Sequence, residues 1–212
     1  HPGSLPETQL MPRQKLVYNV KVKPNIRQSQ DLQKIVDRVR NLASKKGLPT
    51  TCLSVTLIDL NTGEEASYQQ EKPRYPASVV KLYWLVMLQA QLQEKNLIED
   101  KQLSLDLHKM IKKSDNEAAS RILDRITDTQ SGSNLNIKEL ELWLNKRKQT
   151  SRFFFDAGYE DLNISQKTFP IPYLNLYSPQ GRELQMRENK DKPIRNKITT
   201  KQTSRLMYEI VK

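Results

Sequence analysis

The sequence predicts an α+β fold, and three observations carry that expectation. An amphipathic helix near the start is followed by a single β-hairpin, and the periodic segments after the hairpin are all helical. Strands and helices therefore do not alternate as they would in a doubly wound sheet. No internal repeat is present, and 212 residues are enough for a sizeable core.

In order along the chain, residues 1–14 carry three prolines among polar residues and read as a mobile arm. Residues 16–23 place Tyr18, Val20 and Val22 on one face, the pattern of an edge strand closed by Pro24. From Asp31 to Lys46, Leu32, Ile35, Val36, Val39, Leu42 and Ala43 recur at helical spacing, and Gly47 supplies a stop. Leu53 to Leu60 is aliphatic and β-branched. Asn61-Thr62-Gly63 then gives the turn, with a return strand over Glu64 to Tyr68. Pro73 and Pro76 block regular structure until an apolar helix runs from Val79 to Lys95. Further helices are expected at 116–127, 136–146 and 200–211, with a long polar loop between 156 and 198.

Composition excludes several classes. No apolar run approaches the roughly 18 residues of a membrane-spanning helix. The single cysteine, Cys52, rules out an intrachain disulfide framework and a multi-cysteine zinc site. His1 and His108 leave little for a histidine metal cluster or a serine–histidine triad, so neither a metal nor another cofactor is expected. Thirty-five lysines and arginines against 24 acids give a net charge of +11, and residues 181–212 hold nine cations against four acids. No nucleic-acid-binding motif accompanies this charge, so a solvated basic face is expected and not a nucleic-acid partner. Trp84, Trp143 and Phe153-Phe154-Phe155 read as core, His108 as a packed or surface residue, and Cys52 as buried and inert.

Two short motifs can carry chemistry. The helix from Val79 is apolar nearly all round, as expected of a buried helix, yet Lys81 sits inside it. A buried ammonium is unfavourable unless it is paired or neutral, and desolvation lowers a lysine pKa. Ser78 lies one turn back on the same face, so the amine could serve as base for its hydroxyl. Ser-x-x-Lys is expected about once by chance in a chain this long. Its place at the mouth of a buried helix is what singles it out. The second motif, Ser114-Asp115-Asn116, opens another periodic helix. Helix capping explains it by itself, but its asparagine can also bond both a lysine and a substrate amide.

Together the two motifs resemble the serine β-lactamases and penicillin-binding proteins, most closely the class A β-lactamases. The similarity extends to the hairpin Leu57-Ile58-Asp59-Leu60-Asn61-Thr62-Gly63 and to Tyr75-Pro76-Ala77-Ser78-Val79-Val80-Lys81-Leu82. It continues through Ile111-Lys112-Lys113-Ser114-Asp115-Asn116-Glu117-Ala118-Ala119, and through Ile198-Thr199-Thr200 with Ser204-Arg205-Leu206-Met207. The resemblance implies a sheet lobe beside an all-helical lobe, with Ser78 at their junction. It implies Ser78 as acylated nucleophile, Lys81 as general base, Ser114 as proton shuttle and Asn116 as the contact to lysine and substrate amide. Asn175 is implied as a second substrate-binding residue, and the Ser78 N–H as an oxyanion donor. By the same resemblance, residues 1–30 form an arm with an edge strand and 31–76 the first helix and hairpin of the sheet lobe. Residues 77–195 form the helical lobe with an Ω-like loop, and 196–212 the helix leading back to the sheet. The substrate would be a β-lactam or a cell-wall peptide, the location the bacterial periplasm, envelope or exterior.

The pattern departs from that family in three places. No Lys-Thr-Gly follows, so the last strands and helix are expected to be missing from this chain, leaving a sheet edge for a further segment or a second chain. Ser114 falls only 36 residues after Ser78, a shorter interval than is usual. The deacylating Glu-x-x-Leu-Asn becomes Ile171-Pro172-Tyr173-Leu174-Asn175, and isoleucine cannot take a proton. Glu183 or Glu188 is the available substitute. Without one, acylation proceeds while hydrolysis stalls, as in a DD-peptidase or transpeptidase-type penicillin-binding protein. An idle scaffold that keeps the fold and uses its basic surface is the alternative from outside enzymology.

Overall fold

The computed structural model describes residue 16, residues 18–20 and residues 22–212. The expectations for residues 1–14, and for positions 17 and 21 of the strand read at 16–23, lie outside the described residues. Strand β1 is Arg27–Gln28, followed by helix α1, Gln30–Lys45, whose first turn is capped by Ser29 Oγ accepting from Leu32 N at 3.2 Å. The hairpin follows as β2, Val55–Ile58, and β3, Glu64–Tyr68. Its turn is closed by Gly63 N donating to Asp59 O at 2.8 Å. Gly63 has φ +70°, a conformation that favours glycine, and a Cβ there would make a tight contact of 3.2 Å with Asn25 O.

The sheet has the order β1-β3-β2. β1 runs parallel to β3 with Arg27 opposite Glu64, and β2 runs antiparallel with Val55 opposite Tyr68. Helix α1 packs on β3, and the final helix α8, Thr200–Val211, packs on β2. Among the described residues no strand pairs with the outer edge of β2.

The helical lobe is built round α2, Val80–Gln93, entered through a 3-10 turn at Ala77–Val79. Val80, Tyr83, Trp84, Met87 and Leu88 are buried because α3 (Lys101–Lys113), α4 (Asn116–Thr127) and α6 (Gln149–Phe155) all lie against this helix. Trp84 Nε1 finds a partner in Ile164 O at 2.7 Å, as a buried indole requires. Helix α5, Ile137–Arg147, leads into α6, and a four-residue α7, Arg182–Gln185, interrupts the long connection to α8. The α+β expectation holds.

Several local expectations do not. The described residues of 16–23 form no strand: Tyr18 is buried edge-on against Phe153 and Tyr159, while Val22 is exposed. Its aromatic ring anchors this segment, and the edge strand falls later, at β1. Cys52 is exposed, because it closes a 3-10 turn ahead of β2 instead of entering the sheet. Phe155 is exposed although Phe153 and Phe154 are core. Helix α3 went unread, since its buried side chains Leu103, Asp106 and Met110 include a carboxylate that pairs with Arg121 at 2.8 Å.

The connection from 156 to 198 is not a polar surface loop. Tyr159, Leu162, Ile164 and Ile171 are buried in it, and so are Lys167 and Glu183. Arg147 Nη2 donates to Glu183 Oε1 at 2.7 Å and its Nη1 to Oε2 at 2.9 Å, a two-pronged pair inside the protein. Ser131 Oγ also donates to Glu183 at 2.8 Å, and Lys167 Nζ lies 2.9 Å from Asp124. Burial pushes the Lys167 amine down and the Asp124 carboxyl up, each partly offset by the other's charge. Burial also pushes Glu183 up, but Arg147, Lys167 and Ser131 together hold that carboxyl below its ordinary 4.5.

A buried pair that loses one member leaves an uncompensated charge. Glu183→Gln is therefore expected to destabilise the fold by about 3–5 kcal/mol, read as a lowered midpoint in urea unfolding. The contribution of this pair is present above pH 4.5 and is lost as the pH falls through the depressed Glu183 value. The gap between parent and variant should therefore narrow in acid.

Candidate active site

The turn at Ala77–Val79 sets Ser78 at the head of α2. Ala77 takes φ +46°, a left-handed conformation that L-residues with a Cβ adopt only at some strain. Ser78 is exposed there, whereas Lys81, one turn into the helix, is 3% exposed. The hydroxyl thus faces the solvent side while the amine beneath it is enclosed.

The second motif is a junction between two helices. Ser114 ends α3 with φ +53°, which turns the chain sharply and frees its carbonyl from the helix ladder. Asp115 then caps α4, its carboxylate accepting from Ala118 N at 2.7 Å. Asn116 is the first residue of α4. The capping explanation and a place in the cluster around Lys81 are both satisfied by this junction, because different residues of the tripeptide do each job.

Lys81 Nζ collects all of these groups. It lies 3.1 Å from Ser78 Oγ, 2.6 Å from Ser114 O, 3.1 Å from Ser114 Oγ and 2.8 Å from Asn116 Oδ1. Two of the four, the Ser114 carbonyl and the Asn116 amide oxygen, can only accept. A neutral amine has two N–H bonds and one lone pair. Its two N–H bonds are matched by these two acceptors, which leaves the lone pair for a hydroxyl of Ser78 or Ser114. Burial pushes the Lys81 amine below its ordinary 10.5, and the charge of Asp115 opposes that shift only in part.

Four of the five residues expected at the site are therefore in one hydrogen-bonded cluster. Asn175 is apart from it. It ends a 3-10 turn at Pro172–Leu174 with φ +54°, it is exposed, and its N–H donates to Pro172 O at 2.8 Å. No hydrogen bond among the described residues links it to Lys81, Ser78, Ser114 or Asn116. The side chain of Ile171 is fully buried in the core. Glu183 is not available as a substitute base, since Arg147 and Ser131 occupy its carboxylate, and Glu188 is exposed on the connecting segment. On α4, Asp115 is engaged in its cap and Glu117 accepts from Tyr173 N at 2.8 Å. No carboxylate among the described residues is hydrogen-bonded to any member of the cluster.

One member was missed. Thr168 Oγ1 donates to Asn116 Oδ1 at 2.8 Å. It lies 52 residues from its partner, in a segment with no periodicity or motif, and nothing in the sequence marks it. No group of three or more potential metal ligands occurs among the described residues, and no described helix is long and apolar enough to cross a membrane.

Comparison with curated proteins gave no match, and neither did comparison with solved structures. The family model described as the Beta-lactamase enzyme family matches residues 34–212, a span that takes in the hairpin, the Ser78 turn, the Ser114 junction and α8. With most of the chain covered and the fold that the motifs implied, this protein belongs to the Beta-lactamase enzyme family.

Proposed function

We propose that the protein is a serine hydrolase of the β-lactamase kind that works through an acyl-enzyme on Ser78, and that it deacylates slowly. The single observation that carries this reading is the placement of Lys81 Nζ 3.1 Å from the Ser78 hydroxyl, in a buried cluster whose two oxygen acceptors match the two N–H bonds of a neutral amine.

In this mechanism Ser78 Oγ attacks the carbonyl carbon of a β-lactam or a D-amino-acyl peptide, and its proton passes to the Lys81 lone pair. The negative charge on the carbonyl oxygen develops near the amino end of α2, where free N–H groups and the helix dipole favour it. Collapse of the adduct breaks the C–N bond, and the proton travels from Lys81 through Ser114 Oγ, 3.1 Å away, to the leaving nitrogen. The product is an ester on Ser78. Asn116 would bond the substrate amide through its remaining N–H groups.

Hydrolysis of that ester needs a base for water. The lack of a carboxylate hydrogen-bonded to the cluster among the described residues favours a long-lived ester, the behaviour of a penicillin-binding DD-peptidase or transpeptidase more than that of an efficient β-lactamase. An idle scaffold would keep the same cage without reactivity.

Three results test this. Incubation with a penicillin should give a one-to-one adduct by intact mass that persists for many minutes, and Ser78→Ala should abolish it. An adduct that vanishes within seconds would contradict slow deacylation, and no adduct at all would support the scaffold. Lys81→Met should slow acylation by about 10²–10⁴-fold. Because the base acts as a neutral amine, the acylation rate should rise with pH and level off below 10.5, following the depressed Lys81 value. A plateau reached only at or above 10.5 would contradict that role.

A further inference from the structure

Asn116 Oδ1 accepts from two donors at the same distance, Lys81 Nζ at 2.8 Å and Thr168 Oγ1 at 2.8 Å. An amide oxygen has two lone pairs, so both are filled. Two donors on one terminus define it as the oxygen and leave Nδ2 as the donor end. Among the described residues Nδ2 has no protein acceptor. The single hydroxyl proton of Thr168 is committed to this bond, and it shares the acceptor that would otherwise belong to Lys81 alone.

We propose that Thr168 is a positioning residue: its hydroxyl sets the Asn116 amide so that Nδ2 is presented to substrate, and through the shared oxygen it tempers how firmly Lys81 holds its proton. The substrate half of this inference rests on the acyl-enzyme reading above; the Lys81 half does not. The other groups around that amine are Ser78 from the 3-10 turn, Ser114 from the α3–α4 junction, and Asp115 at the head of α4, which supplies the ionised charge acting on it.

Holding the loop in place does not require this hydroxyl. The neighbouring Lys167 pairs with Asp124 at 2.9 Å, and Tyr173 bonds Ser120 at 2.9 Å and Glu117 at 2.8 Å. Glu183 is held by Arg147 further on. With these ties on either side, loss of a single threonine hydroxyl leaves the loop attached to α4 and α5, and the distinctive effect is on the amide it touches.

The experiment compares the parent with Thr168→Val, which keeps the shape, and Thr168→Ser, which keeps the hydroxyl. The first readout is the titration of Lys81 followed by carbon NMR of labelled lysine, which needs no activity. In Thr168→Val the amide oxygen has Lys81 as its one remaining donor, and a stronger bond to the ammonium favours the charged form. The midpoint should rise by about 0.5–1 pH unit, and Thr168→Ser should return it to the parent value. The second readout is acylation by a fluorescent penicillin. Thr168→Val should be slowed about tenfold with its pH midpoint following that of Lys81, and Thr168→Ser should recover most of the rate. An unmoved Lys81 midpoint in Thr168→Val, with or without a lower melting temperature, overturns the proposal and leaves Thr168 as a loop tie. A shifted midpoint in a protein whose parent does not acylate upholds the control of Lys81 and overturns the acyl-enzyme reading instead.

Discussion

Enclosing the Lys81 amine among oxygen acceptors is the constraint on which this structure turns. A lysine interior to an apolar helix is unfavourable unless its N–H bonds are matched, and a helix cannot supply the acceptors from its own ladder. They come from elsewhere: a strained turn before α2, a carbonyl released at the end of α3, and an amide at the start of α4. Bringing these within about 3 Å of one nitrogen requires α4 to approach α2 closely. Two residues in the first turn of α4 suit such an approach, because Ala118 and Ala119 are fully buried and present nothing larger than a methyl group. Val80 and Trp84 on α2 and Ile122 and Leu123 on α4 belong to the same buried cluster.

The connection between α6 and α8 is secured by different means. It carries few strands or helices of its own, so buried side chains do the fastening. Arg147, fully enclosed, meets Glu183, and Lys167 meets Asp124. Charges placed this way stabilise little by their presence but much by their mutual dependence. The same arrangement removes Glu183 from the chemistry. A carboxylate engaged by a two-pronged guanidinium is a poor base, because its proton affinity has already been lowered by the pairing. The ion pair that ties the loop is thus also what lowers the basicity of Glu183.

Much of this was legible in the sequence, for reasons that can be located. The helix at 116–127 matched its periodicity because its one face is uniformly apolar, and the hairpin declared itself through Asn61-Thr62-Gly63. The Ser78–Lys81 and Ser114–Asn116 motifs are local in sequence, so their spacing could be read even though their meeting could not. What escaped notice depends on long-range contacts. Helix α3 buries a carboxylate whose charge is met by Arg121, 15 residues on, with Gln102 as a further donor. Tyr18 looked like a strand residue but is held by aromatic rings more than a hundred positions away. Thr168 is a hydroxyl whose single important partner no local pattern can indicate. Cys52 was misplaced because hydrophobic neighbours imply burial only inside a strand, and the strand starts at Val55.

The most direct test of the central claim is to locate the acyl group. After reaction with a penicillin and digestion with trypsin, the added mass should lie on the peptide Tyr75–Lys81, whose one hydroxyl nucleophile besides the tyrosine is Ser78. Fragmentation should assign it to the serine. An adduct carried by any other peptide, with Tyr75–Lys81 recovered unmodified, would contradict the view that the caged lysine exists to activate Ser78.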